Sequence, residues 1–341
     1  MHINEESEQP QVQKGPVVAL ATLFLVGFLS VIAWNIELPY LAYSVGPVSN
    51  VTSSIHAEGV ELYPPHGELL MLTVISQDVN PLEYLIATFD PTIDLVKKEL
   101  VRAPGETVEQ YRARSLQQMD DSNFRSIVAA LDYLGHELVP IEVSINAVVE
   151  GVPAETVLET GDIILEINGV SIASVEDVRG QVLGRGIGDS IEILVVRSGE
   201  EQLLHVELGE NPENPGVPII GVVLDEVKAP PFELIIRSGN IGGPSAGMMH
   251  TLAIIDNLTE GELTKGHVIA GTGTMHPDFN VGPIGGVRQK VVAAEAAGAE
   301  YILVPVDNYA DALTAERSRI EIVPVSTLQE ALDFLSGLPD A

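Results

Sequence analysis

The chain has no cysteine, which excludes disulfides and cysteine-ligated zinc or iron–sulfur sites. It is also poor in positive charge: 17 lysines and arginines stand against 49 acidic residues, a formal net charge of −32. A field of that sign repels phosphate and argues against nucleic acid as a partner; its plainest reading is solubility. No G-x-x-x-x-G-K-[ST] run occurs in the 341 residues, so there is no P-loop to cradle ATP. No cofactor and no metal site is expected. What is present is apolar content of 45%, enough for two or three packed domains.

Residues 16–36 read PVVALATLFLVGFLSVIAWNI, about 21 residues without a charge. That length suffices to cross a bilayer core of roughly 30 Å, and it exceeds the ~7–15 residues of a signal-peptide apolar stretch. Trp34 and Tyr40 stand where an interfacial aromatic belt would lie. The expectation is a retained transmembrane helix behind a short tail, residues 1–15, with the lipid bilayer as partner. Lys14 precedes the run, and no Lys or Arg follows before Lys97. The positive-inside rule then puts the tail in the cytoplasm and everything after residue 37 outside it, in a single-pass cell-membrane protein.

Residues 37–137 form a membrane-proximal α/β segment expected to pack on the domain that follows. Within it Tyr63–Ser76 reads as a turn and a strand, and Ser122–Gly135 as a helix with Ser122 as N-cap and Gly135 as terminator. Residues 138–210 change character, with short strands split by Gly-Asp and Asn-Gly turns and one helix from about Ser174 to Leu183. Pro153-Ala154, Leu158, Gly161-Asp162-Ile163-Ile164, Ile167-Asn168-Gly169 and the strand pair around Arg197-Ser198-Gly199 resemble a PDZ domain of the bacterial protease-associated kind. Such domains bind extended peptides by adding a strand to an open sheet edge. The resemblance implies a groove between Ala147, Val148 and Val149 and the Val175–Leu183 helix. PENPG at Pro212–Gly216 reads as a linker to a last domain, residues 217–341.

The chemistry lies in that last domain. In Ile236–Leu258 a glycine-rich loop ends at Ser245 and a run of helix formers follows. Free backbone N–H groups and the helix dipole there suit an oxyanion hole, for which the N–H groups of Gly243, Ser245 and Ala246 are the expected donors. Ser245 reads equally well as an N-cap or as a nucleophile on this loop alone. A trypsin-like reading fails because Ile241 stands where that signature needs its serine. Gly243-Pro-Ser245-Ala-Gly247 matches G-x-S-x-G, but the last histidine, His276, comes only about 30 residues later, too early for an α/β-hydrolase triad. Lys290 is a second candidate base, one of six lysines, on a Val- and Ala-rich helix opened by Gly285-Gly286. Burial there would lower its pKa from about 10.4 toward the 7–8 that a general base needs.

Pro244-Ser245-Ala246-Gly247 and Pro283-Ile284-Gly285-Gly286-Val287-Arg288-Gln289-Lys290, with Thr272-Gly273 between them, resemble the proteolytic domain of Lon-type enzymes. Ala293–Gly298 and Tyr301–Pro305 fit the family's later signature. The resemblance implies a Ser245/Lys290 dyad oriented by Thr272, protein or peptide substrates, and a homo-oligomer, hexameric by analogy. With the PDZ-like region and one span, the chain is similar to bacterial PDZ-containing Lon-like membrane proteases, here an ATP-independent serine endopeptidase. Two departures stand out: Gly242 and Thr274 occupy positions that are acidic in many Lon enzymes. The expected fold class is α+β: an N-terminal transmembrane helix, a PDZ domain and a C-terminal Lon-type proteolytic domain. A catalytically idle PDZ scaffold and an esterase or amidase using the same dyad remain open at this stage.

Overall fold

The computed structural model describes residues 23, 24, 27, 28, 31, 34–63 and 65–341. The expected span over 16–36 falls largely outside them. Among the described residues, no helix is long and apolar enough to cross a membrane. The chain divides into two units, one of residues up to 54, 63–123 and 237–341, the other of residues 55–62 and 124–236.

In chain order the first strands are β1 (Tyr40–Asn50), β2 (Ile55–Ala57), β3 (Glu68–Asp78), β4 (Asp94–Lys97), β5 (Val139–Val148) and β6 (Ile163–Ile167). Then come β7 (Val170–Ser171), β8 (Ser190–Arg197), β9 (Glu200–Glu207), β10 (Gly209–Glu210), β11 (Pro218–Ile219) and β12 (Val222–Ala229). The last are β13 (Leu234–Ile236), β14 (Val268–Gly271), β15 (Thr274–Met275), β16 (Val281–Gly282), β17 (Tyr301–Pro305) and β18 (Glu321–Val325). The helices are α1 (Pro81–Phe89), α2 (Val108–Tyr133), α3 (Val175–Val182), α4 (Gly247–Leu258), α5 (Val287–Ala296), α6 (Tyr309–Ala312) and α7 (Leu328–Ser336).

The first unit is built on a six-stranded sheet in the order β18-β17-β14-β3-β1-β4. β3, β14, β17 and β18 are parallel neighbours, while β1 runs antiparallel to β3 and β4. Residues 37–137 therefore do more than pack on the C-terminal region. They supply three strands of its sheet, with Leu70 opposite Ala270 in register. α4 is apolar on nearly all sides and is buried from Gly247 to Asn257, as such a helix must be. α5 sets Val287, Val291 and Ala294 into one core with Leu70, Leu72 and Ile302. These two central helices carry the candidate chemistry.

Ser122 is not the N-cap of a helix. It lies inside α2, which begins at Val108, and is only 4% exposed. The helix runs through because no Gly or Pro interrupts Val108–Tyr133.

The second unit holds the sheet β12-β5-β6-β8-β9, with β7 on β6. Asn168 and Gly169 have φ of 52° and 74°, the left-handed pair that a two-residue type I′ turn requires. Gly161-Asp162 is explained by Arg197, whose guanidinium donates two 2.7 Å hydrogen bonds to the buried Asp162 carboxylate. α3 starts at the N-cap Ser174, which closes a capping box with Asp177. The sheet extends past the expected end at residue 210, because β12 pairs along the length of β5. Pro212–Gly216 is the turn between the paired strands β10 and β11, tied by the Gly216 N–H to Glu210 at 2.7 Å, so it is not an interdomain linker.

Candidate active site

Two chain reversals bring distant residues together in the first unit. The loop 242–246 delivers Ser245 to the start of α4, where Ala246 is the capping residue. Gly286, with φ of 67°, turns the chain into α5, and a Cβ there would meet Val74 at 2.7 Å. Only glycine satisfies both demands. Asn308 holds the approach to this turn with both ends of its amide, accepting from the Ile284 N–H at 2.8 Å and donating to the Ile284 carbonyl at 3.0 Å.

Lys290, one turn into α5, is 2% exposed and ranks among the largest fully buried side chains. Its Nζ lies 2.8 Å from Ser245 Oγ and 2.8 Å from Thr272 Oγ1. The Thr272 hydroxyl in turn donates to the Ser245 carbonyl at 3.0 Å. That bond commits the threonine proton, so its oxygen is an acceptor toward the amine and fixes where Nζ sits. Burial pushes the Lys290 amine down to about 7, and no acidic neighbour contributes to the shift. A neutral amine has the lone pair needed to take a proton from the serine hydroxyl.

The oxyanion donors are fewer than expected. The Gly243 N–H donates to the Ser115 carbonyl at 2.7 Å, so it is already committed and cannot hold a substrate oxygen. The N–H groups of Ser245 and Ala246 have no backbone acceptor among the described residues and remain as donors at the head of α4.

Sequence reasoning found no chemistry in α2, yet this helix buttresses the nucleophile loop. Besides the Ser115 carbonyl, Ser122 Oγ donates to the Pro244 carbonyl at 3.1 Å, and Asn123 Nδ2 to Ser238 Oγ at 3.0 Å. A Cβ at Gly242 would meet Ser115 Oγ at 2.5 Å and the Ser115 backbone at 3.1 Å, so α2 leaves room for glycine alone at this turn. Ser122→Ala should leave the Pro244 carbonyl with only the 3.3 Å bond from the Gly247 N–H and loosen the loop. A loss of about 1 kcal/mol is a roughly fivefold fall in kcat with KM little changed. Steady-state kinetics on a short peptide checks this, and an unchanged kcat would dismiss the buttress.

Neither histidine reaches the serine. His250 is fully buried in α4, has no partner for either ring nitrogen among the described residues, and is pushed down to about 4 by burial. His276 is exposed, with Nε2 at 3.3 Å from Thr274 Oγ1.

In the second unit the expected groove has to be moved. Ala147 and Val148 are paired to Val223 and Val222, and the Val149 N–H donates to the Gly221 carbonyl, so β5 offers no open edge there. The edge strand is β12, at the end of the sheet order. A cavity of about 770 Å³ lies beside it, lined by Val175, Val178 and Val182 of α3, by Val222 and Leu224 and, of the three strand residues expected there, by Val149 alone, so the helix side of the expected groove holds. The signal that could have found it is the alternation of Val222, Leu224 and Glu226 just after the Ile220-Gly221 turn.

Comparison with known proteins finds two family models on this chain. Residues 238–336 match the family model of the Lon protease (S16) C-terminal proteolytic domain. Over those residues, somewhat under a third of the chain, it is similar to that domain. Residues 115–208 match the PDZ domain model. Over 118 residues the chain is 37% identical to Lon protease 1 of Sorangium cellulosum, covering 33% of this chain and 14% of that protein. Over 105 residues it is 33% identical to the archaeal Lon protease of Halobacterium salinarum, covering 30% of this chain and 15% of that one. The crystal structure of the PDZ domain of an SdrC-like protein from Listeria monocytogenes is 28% identical and covers 24% of this chain and 85% of that one, at a TM-score of 0.23. The chain thus spans only about a seventh of the length of these Lon relatives.

Proposed function

We propose that this chain is an ATP-independent, membrane-anchored serine endopeptidase working through Ser245 and Lys290. One observation carries the reading: a buried lysine with its Nζ 2.8 Å from the hydroxyl of Ser245 at the head of a helix. Neutral Lys290 takes the hydroxyl proton as Ser245 Oγ attacks a peptide carbonyl. The N–H groups of Ser245 and Ala246 receive the developing oxyanion. The lysine ammonium then protonates the leaving amine, and water, deprotonated by the same lysine, hydrolyses the acyl-enzyme. Thr272 is a positioning residue that holds the amine.

The similarity to enzymes named Lon protease supports peptide bonds as the target and a ring-forming homo-oligomer. The missing P-loop supports turnover without ATP, on unfolded segments or tails. The charge-free run over 16–36 supports a bilayer anchor, with the active site outside the cytoplasm. The second unit recruits extended peptides along the open edge of β12.

Fluorophosphonate labelling of the purified chain, followed by casein hydrolysis with and without ATP and magnesium, tests this. The expected result is a label that Ser245→Ala removes, and casein cleavage that ATP leaves unchanged. An unlabelled chain that cuts neither casein nor a short ester would leave only a binding scaffold. Cleavage that needs ATP would mean a motor works with this chain.

A further inference from the structure

α1 is an inverted amphipathic helix. Its apolar side chains Leu82, Leu85, Ile86 and Phe89 recur at i, i+3, i+4 and i+7, the spacing of a single helix face, and that face ordinarily points into a core. Here it points out: the four are 44%, 56%, 61% and 80% exposed. The opposite face is the one that packs, with Ala87 buried and the Tyr84 ring edge-on to Tyr40 at 5.0 Å. The helix is well made by itself, since Asn80 and Glu83 close a capping box around Pro81. Exposed apolar side chains in a row on a well-capped helix mark a surface meant to be covered.

Its position says by what. The Leu38 N–H donates to the Val79 carbonyl, which directly precedes the Asn80 cap. Leu38 comes two residues after the end of the 16–36 apolar run, so the helix begins where that run delivers the chain. The first basic residues after Lys14 gather at the same place. Lys97 pairs in register with Tyr40 and meets Glu99 at 3.3 Å, while Lys98 meets Asp78 at 2.7 Å and Glu37 at 3.5 Å. Those carboxylates balance the lysines, so what selects a lipid surface is the continuity of the exposed apolar face with the end of the 16–36 run. We propose that α1 lies on the bilayer surface, with Leu82, Leu85, Ile86 and Phe89 in the boundary between headgroups and acyl chains. This fixes how the first unit stands on the membrane, and it rests on the anchored reading given above.

The absence of cysteine makes the test direct. Single cysteines at Leu85, Phe89 and, as control, Thr88 of the full chain are labelled with an environment-sensitive fluorophore. Each labelled protein is then reconstituted into phosphatidylcholine–phosphatidylglycerol vesicles. The expected result is a blue shift at positions 85 and 89 that spin-labelled lipids quench, with the label at 88 left responsive to aqueous iodide. If the chain floats with the vesicles but 85 and 89 stay open to iodide, the anchor stands and the surface helix is overturned. If they are shielded from iodide yet untouched by spin-labelled lipid, a second copy covers the face, and the proposal is equally overturned. A chain that does not float at all removes the anchor, and this proposal with it.

Discussion

Ser245→Ala and Lys290→Ala each abolish peptide hydrolysis, by a factor on the order of 10⁴ or more, and the double variant is no slower than either single one. The reason is that the two side chains form one device. The Ser245 hydroxyl is a poor nucleophile without a base, and the Lys290 amine, 2.8 Å away, has nothing to deprotonate once the oxygen is gone. Lys290→Arg is equally inactive, since a guanidinium holds its proton throughout the working pH range and cannot accept another. The pH–rate profile of kcat/KM rises through about 7, where the buried amine loses its proton. His276→Ala keeps most activity, because that ring contacts Thr274 and not the serine. Initial rates on a fluorogenic peptide decide the matter. Substantial activity in Lys290→Ala, or independent, multiplying losses in the double variant, would falsify the dyad.

How much of this could be read in the sequence depended on how local the determinants are. Ser245 and Lys290 sit in short glycine-marked loops, and their spacing is legible because each loop opens a helix whose apolar residues follow at once. Thr272 was implied only by the resemblance to Lon-type proteolytic domains. The determinants contributed by remote segments were not legible. Ser122 was read as a helix cap because serine commonly is one, yet its hydroxyl serves the Pro244 carbonyl, 122 positions away in the chain. Gly243 carried every local sign of an oxyanion donor, but the carbonyl of Ser115 takes its N–H. The peptide groove was misplaced because β12 returns to β5 across more than 70 residues, and no local pattern in Val139–Val148 announces that its edge is covered. The exposure of the apolar face of α1 is a property of the fold alone.

Lys290→Met should yield a protein that is inactive and more stable. The amine has an ordinary value of 10.5 and is pushed down to about 7 in the folded chain, so below 10.5 the unfolded state binds the proton more readily. Stability conferred by the neutral amine is therefore full above 10.5 and is lost as the pH falls toward 7. At neutral pH the loss is about 4 kcal/mol from this one residue, by linkage. Methionine matches the unbranched shape of lysine and carries no proton to give up. It forfeits two hydrogen bonds at about 1 kcal/mol each. Thr272 keeps its bond to the Ser245 carbonyl, so no buried donor is stranded. The net gain of about 2 kcal/mol corresponds to a rise in Tm of roughly 4–8 °C near pH 7. It should shrink steadily as the pH is raised toward 10.5, where wild-type lysine is neutral in both states. Thermal melts of the two proteins across that range read this directly. A difference that does not vary with pH would mean that the lysine is charged in the folded protein, which would also remove it as a base.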